Sequence, residues 1–321
     1  MPAPVRIAAK PYHFSASELG TWLNCRRQWW WEYVELLAPS QIKEPLVIGS
    51  AAHEALELYF KTLQAGKTPD AKVIIATVVK KLKIMADLEM KRGFQSIKVN
   101  EVYEKAIAFV RGFLNNYISH WSREDSKFKV LDVECVFKIP LIKNLDIVGK
   151  IDGVLEAKDG SIWVLEHKTA SRVSGSYIDK IDFSQQVIVY MAAVKHLYGK
   201  YPRGIVYDLI LKPSIRQDKN ATYKEYLDRY VDWFDTKGSE ALYREHVVKS
   251  HARLDSEITQ LIAMGTDIKM CTSDSIHAYP NPQACDMYGL CPFIRMCQGV
   301  KTAMLDLRKK ETKHEELGTL S

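Results

Sequence analysis

Gly149-Lys150-Ile151-Asp152-Gly153-Val154-Leu155-Glu156-Ala157-Lys158-Asp159-Gly160-Ser161-Ile162-Trp163-Val164-Leu165-Glu166-His167-Lys168 reads as two strands joined by a tight turn. Alternation groups Val148, Lys150, Asp152 and Val154 on one face of the first strand. It groups Ile162, Val164, Glu166 and Lys168 on one face of the second. Glu166 and Lys168 are therefore neighbours, and whether Asp152 joins them depends on register, because a slip of one residue turns a whole strand over. A three-residue loop of Lys158, Asp159 and Gly160, with Gly160 in the left-handed backbone that closes such loops, sets Asp152 opposite Glu166. A two-residue Asp159-Gly160 loop would set it opposite His167 instead. His167 alternates to the other face and is not expected to be a ligand.

Two carboxylates and an ammonium at neighbouring strand positions are the parts of a phosphodiesterase. Hard divalent cations such as Mg²⁺ or Mn²⁺ take carboxylate oxygens at a partly hydrated site. A nearby ammonium can orient the attacking water and offset charge that develops on phosphorus. An isolated Glu-x-Lys pair is more often a surface salt bridge, so the surrounding sequence has to decide.

Working outward, Val130 to Ile139, Asp146 to Leu155 and Ile162 to Lys168 form the strand-rich centre, with Ile205 to Leu211 as a further strand. Ser15-Ala16-Ser17-Glu18 has the pattern of a capping box before a helix through Leu19, Trp22, Leu23 and Cys25. Leu56, Tyr59, Phe60 and Leu63 recur at helical spacing with His53 on the same stripe, in a helix expected from Ser50. Residues 70–92, 100–121, 185–198 and most of 222–264 are expected to be helical. Residues 1–14 read as an irregular lead-in, and the polar stretch from Lys301 as a frayed tail.

The motif order is more specific than any one motif. Gly49-Ser50-Ala51-Ala52-His53 precedes Gly149-Lys150-Ile151-Asp152-Gly153, then come Glu166-His167-Lys168 and Gln186-Val187-Ile188-Val189-Tyr190. This succession of G-x-x-x-H, an aspartate strand, [D/E]-x-K and Q-x-x-x-Y resembles the RecB-type branch of the PD-(D/E)XK nucleases, in its form that carries an iron–sulfur cluster. The resemblance implies an α/β fold with a restriction-endonuclease-like core, a mixed central sheet flanked by helices, and helical N- and C-terminal regions joined by a metal cluster. It implies that His53, Asp152 and Glu166 ligate a Mg or Mn cation and that Asp152, Glu166 and Lys168 form the catalytic set, with Lys168 activating water and stabilising the transition state. Gln186 and Tyr190, one helical turn apart, would reach the substrate backbone or support Lys168, with ordinary helix packing as the alternative. Gln185 has a poorer spacing to Tyr190. Glu134 and Asp146 are accessory candidates only.

Cys285, Cys291 and Cys297 are separated by two five-residue gaps, and Cys25 stands alone near the N-terminus. Four thiolates suit a [4Fe–4S] cluster or a structural zinc, and zinc more usually draws on closely paired cysteines. One distant cysteine plus three clustered ones resembles the iron–sulfur staple of RecB-type nucleases, which implies that Cys25, Cys285, Cys291 and Cys297 hold the cluster. Two features depart from that pattern: the family commonly has two residues between the first clustered cysteines, and a proline where Arg26 follows Cys25. Cys135 reads as core and Cys271 as outside the set. Arg26, Arg27 and Trp29-Trp30-Trp31 combine charge with aromatic rings suited to single-stranded DNA, or to packing beneath the cluster.

The chain of 321 residues, 47% hydrophobic and 26% charged, is long enough for a large core. Its net charge of +6 fits a polyanionic partner without requiring one. Neither a membrane-spanning run nor a secretion signal is read, so a cytoplasmic location is expected, in the host if the chain is phage-encoded. The expected division is 1–125 helical with the first cysteine and the His53 helix, 126–215 the nuclease core, 216–300 helical with the cysteine triplet, and 301–321 the tail. The resemblance implies a DNA exonuclease of phage or bacterial recombination or repair. Processing of CRISPR spacer precursors, or a catalytically silent cluster-stapled DNA-binding subunit, are the alternatives. No phosphate-cradling motor motif is present. A separate helicase, single-strand-binding or annealing protein would then be the partner, with the oligomeric state open.

Overall fold

The computed structural model describes residues 10–91, 96–287, 289–315 and 317. Its strands are β1 (Tyr12–Ser15), β2 (Leu37–Pro39), β3 (Phe128–Ile142), β4 (Leu145–Ala157), β5 (Ile162–Ala170), β6 (Gly204–Leu211), β7 (Leu242–Val248) and β8 (Leu307–Lys309). The helices are α1 (Ala16–Asn24), α2 (Arg26–Trp29), α3 (Glu44–Gln64), α4 (Ala71–Lys91), α5 (Ser96–Asp125), α6 (Gly175–Ile181), α7 (Gln185–Tyr198), α8 (Tyr223–Lys237), α9 (His251–Cys271) and α10 (Ile294–Cys297). A six-stranded mixed sheet runs in the order β1, β4, β5, β6, β7, with β3 paired to β4. Helices α3, α4, α5 and α8 cover one face through Tyr59, Val78, Phe109, Phe113 and Phe234, while α1, α7 and α9 cover the other through Leu19, Met191 and Leu261. This is the expected mixed α/β core with helices on both sides.

The register of β4 creates the opening for a site. Its pairs with β1 end at Val148 and its pairs with β5 begin at Gly153, so residues 149–152 lie at a fork between the two strands. The β4–β5 turn is the three-residue form. Ala157 N–H donates to Ser161 O, and Gly160 takes φ 79°, a left-handed backbone for which glycine is suited. Pairing then proceeds from Glu156 with Ile162 to Gly153 with Leu165, and one step further stand Asp152 and Glu166.

Several elements differ from the sequence expectation, each for a local reason. Helix α3 begins at Glu44, six residues before Ser50, with Pro45 in its first turn, where its missing N–H costs nothing. The stretch 222–264 is broken by β7, because α8 stops at Gly238 (φ 51°) and Leu242–Val248 extends the sheet against β6. Ser15 caps α1 as expected, accepting from Glu18 N–H at 3.1 Å. Glu18 does not complete the box: its buried carboxylate takes Tyr12 Oη at 2.5 Å, Trp29 Nε1 at 2.9 Å and Lys313 Nζ at 2.8 Å.

That last contact also corrects the frayed tail. β8 pairs with β2, Lys310 N–H donates to Leu36 O at 2.7 Å, and His314 is fully buried. The segment is held largely by backbone pairing and polar contacts to the N-terminal region, which leave no apolar periodicity to read. Residues 1–9 of the lead-in, and 316 and 318–321 of the tail, lie outside the described residues. Among the described residues no helix is long and apolar enough to cross a membrane.

Candidate active site

The fork in β4 opens into a cleft lined by His53, Glu57, Glu134, Lys150, Asp152, Glu166, Lys168, Gln186 and Tyr190, among others. Five elements contribute. Helix α3 brings His53, whose Nδ1 lies 3.1 Å from Asp152 Oδ1. β4 brings Asp152, whose Oδ2 accepts the backbone N–H of His167 at 2.8 Å. β5 brings Glu166 and Lys168, which form an ion pair. Helix α7 brings Gln186, whose Nε2 donates to Tyr190 Oη at 2.8 Å.

Glu134 joins them from β3. The ladder pairs Val133 with Gly153 and Cys135 with Ile151, so Glu134 stands across from Asp152, on the side away from Glu166. Three acidic residues thus occupy adjacent positions on three neighbouring strands. Among the described residues, His53, Glu134 and Asp152 are the three whose ligand atoms lie within 4.8 Å of one another. Glu134 has φ 54°, a backbone that costs a non-glycine residue about 1–3 kcal/mol and is found where a site over-determines the chain. It also pairs with Lys150. Glu166 is in the same cleft, but its carboxylate is turned toward Lys168. Asp146, the other accessory candidate, pairs with Lys138 at 3.5 Å and does not line the cleft.

The electrostatics suit a divalent cation. Burial alone would raise the Asp152 carboxyl, but His53, His167 and Lys168 outweigh it and hold it well below the usual carboxylate range. Burial and the Asp152 charge push Glu166 up to about 7 against the pull of Lys168. Glu166 is 1% exposed, and neither carboxylate oxygen accepts a hydrogen bond of regular geometry. The cation beside this buried carboxylate is the Lys168 ammonium. For Lys168, burial works against the ammonium, yet Glu166 and Asp152 keep its pKa above the ordinary lysine value, so it remains a cation near neutral pH. For His53, burial is likewise outweighed by Asp152, and its pKa is raised. Carboxylate oxygens with one imidazole are a donor set suited to a hard divalent ion. We expect Glu134→Gln to weaken Mn²⁺ binding by about tenfold or more, by comparison with losses at metal-site residues, measured by isothermal titration. An unchanged affinity would remove Glu134 from the ligand set.

The glycine of Gly149-Lys150-Ile151-Asp152 has a packing reason. A Cβ there would fall 2.5 Å from the Phe137 ring, which lies across it from β3 and meets Tyr190 edge-on at 6.1 Å between centroids. The absent side chain at Gly149 therefore sets the wall on which Tyr190 and Gln186 rest.

Arg26 and Arg27 are not in the cleft. The Arg26 guanidinium lies between the Trp22 and Tyr279 rings at 4.4 and 4.8 Å, and Arg27 N–H donates to Tyr279 O. Both therefore tie α2 to the segment that precedes the cysteine triplet. Trp29 is fully buried. Cys25 sits where α1 meets α2, with Asn281 N–H directed at its Sγ at 3.4 Å. Burial raises the Cys291 thiol, and Cys25, Cys297 and Cys285 raise it further, so the four lie close enough for their charges to interact. Among the described residues no three of these thiols come within 4.8 Å of one another. Cys135, on β3, is pushed up to about 12 by burial and by Asp132, and Cys271 lies at the end of α9 beside Trp22 and Arg26. Neither belongs to the group.

Residues missed from sequence include Lys150 and Glu57, both of which line the cleft. Lys150 shares the Asp152 face by alternation, which was a usable signal. Glu57 follows His53 by one helical turn.

No individual curated protein matches the chain at a significant level. The family model of the PD-(D/E)XK nuclease superfamily matches residues 13–298, a span that takes in the β4–β5 hairpin, the His53 helix, Gln186 and Tyr190 and all four grouped cysteines; the chain belongs to that superfamily.

Proposed function

We propose that the protein is a Mg²⁺- or Mn²⁺-dependent exonuclease that hydrolyses DNA phosphodiester bonds in phage or bacterial recombination or repair. The observation that carries the reading is the meeting of Asp152, Glu166 and Lys168 at the β4 fork, with His53 above them and Glu134 alongside. His53, Asp152 and Glu134 are in position to hold the cation, and Glu166, paired with Lys168, lines the same cleft. A cation there would lower the pKa of bound water and polarise a phosphoryl oxygen. Lys168, held as an ammonium, offsets charge on the phosphorane as the water oxygen bonds to phosphorus and the ester P–O bond breaks. Gln186 and Tyr190 form the wall against which a nucleic-acid backbone would lie. In the proposed division into 1–125, 126–215, 216–300 and 301–321, the second part carries Asp152, Glu166 and Lys168 and the first supplies His53.

The grouping of Cys25 with Cys285, Cys291 and Cys297 supports a [4Fe–4S] cluster that ties the N-terminal helices to the C-terminal segment. A structural zinc on the same four thiolates is the alternative.

The exonuclease assignment is tested by offering linear duplex DNA and a covalently closed circle side by side in Mn²⁺. Release of nucleotides from the linear DNA with the circle left intact is expected. Cleavage of the circle at a comparable rate would contradict it.

A further inference from the structure

Behind the cleft lies a group of buried ionised side chains that no step of the hydrolysis uses. Arg244 of β7 donates through Nε and Nη2 to the two oxygens of Asp208 at 2.6 and 2.8 Å, through Nη1 to Asp125 at 2.7 Å, and through Nη2 to Tyr117 Oη at 3.1 Å. Its guanidinium also lies over the Trp121 ring at 4.2 Å. Arg244, Asp208 and Asp125 have side chains 1–2% exposed. At one end Tyr59 Oη donates to Asp125 at 2.9 Å, and at the other His167 Nδ1 lies 3.3 Å from Asp208.

Such a network is a poor way to gain stability. Well-packed apolar residues of similar volume are often equal to or better than a buried ion pair, whose charges must be stripped of water. What it does supply is fixed geometry, since an Arg fork binds a carboxylate in one orientation. Its two ends are informative. Tyr59 is on α3, the helix that carries His53. His167 is on β5, where its backbone N–H holds Asp152 and its ring packs against Phe60 and His53. None of Tyr59, Asp125, His167, Asp208 and Arg244 lines the cleft.

We infer that this buried network, from Tyr59 through Asp125, Arg244 and Asp208 to His167, is a positioning device that fixes α3 against β5 so that His53 and Asp152 stand at one cation's distance. The inference rests on the reading of His53 and Asp152 as metal ligands. Every member is a positioning residue, and a change in the network should be read in metal affinity before it is read in folding.

The test uses the full chain carrying Lys168→Ala, with Mn²⁺ binding followed by isothermal titration and unfolding followed separately without metal. His167→Phe keeps the backbone N–H and the ring volume but loses the polar contact to Asp208; His167→Gln can restore that contact. With His167→Phe we expect Mn²⁺ to bind roughly 10–100-fold more weakly, and with His167→Gln to return within about threefold of the parent. Tyr59→Phe removes a single hydroxyl from a ring that stays packed, and is expected to weaken Mn²⁺ binding about threefold or more; it decides the matter if His167→Phe does not fold. Parent-like affinity in His167→Phe, a Gln variant as weak as Phe, or, where the Phe variant does not fold, an unchanged Tyr59→Phe would each overturn the inference. A parent that binds no Mn²⁺ at all would overturn the metal-ligand reading and this inference with it.

Discussion

Lys168→Ala is expected to slow phosphodiester hydrolysis by roughly 10²–10³-fold, the usual loss when one transition-state donor is removed, while Mn²⁺ and DNA still bind. The ammonium lines the cleft beside Glu166 and stays charged because Glu166 and Asp152 both favour its proton. Its removal leaves every proposed ligand atom in place, so the loss should fall on the rate of the bound complex rather than on affinity. One secondary change follows from the electrostatics. Without the lysine, Glu166 loses the main group that opposes its raised pKa, so metal-free protein should protonate that carboxylate more readily. Turnover at the parent rate, measured in single-turnover digests, would remove Lys168 from the mechanism.

The second large effect concerns stability. Cys25 stands 260 positions before Cys285. A link that closes so long a loop restricts the unfolded chain by ~5 kcal/mol in the chain-entropy estimate. For the proposed cluster, Cys25→Ala should therefore lower the iron content of anaerobically purified protein, lower its melting temperature by several degrees and impair nuclease activity, although Cys25 does not line the cleft. Cys135→Ala and Cys271→Ala should keep the iron, since neither thiol is grouped with the other four. Iron content and visible absorption read the first effect, and thermal unfolding reads the second. Full iron content with an unchanged melting temperature in Cys25→Ala would dissolve the staple.

The two hairpins around the site explain what the sequence could and could not yield. In the β4–β5 hairpin the turn residues Lys158, Asp159 and Gly160 fix a register that runs undisturbed to the site, so the facing of Asp152 and Glu166 follows from turn type and alternation alone. In the β3–β4 hairpin Ile142 pairs with Leu145, and counting from that turn would set Cys135 opposite Asp152. A bulge between Pro140 and Ile142 shifts the ladder by one and puts Glu134 there instead. Alternation has no means of announcing such a shift, which is why Glu134 stood only as an accessory candidate. The same limit hid the tail, docked by Lys313 on Glu18, and the Arg244 network, whose members are separated in the chain and meet only when α3, α5, β5, β6 and β7 assemble. His53 entered the expected site only through the G-x-x-x-H element of the resemblance, since the helical stripe it shares with Tyr59 and Phe60, both buried, equally fits a packed core histidine.

The most direct test of the central claim is a digest of end-labelled DNA by the purified protein in Mn²⁺, with parallel reactions in EDTA and with Lys168→Ala. Cleavage in Mn²⁺ that disappears in EDTA and falls at least about a hundredfold in the variant is the result predicted. DNA left intact by the parent protein in both Mn²⁺ and Mg²⁺, or cleaved equally by Lys168→Ala, would contradict it.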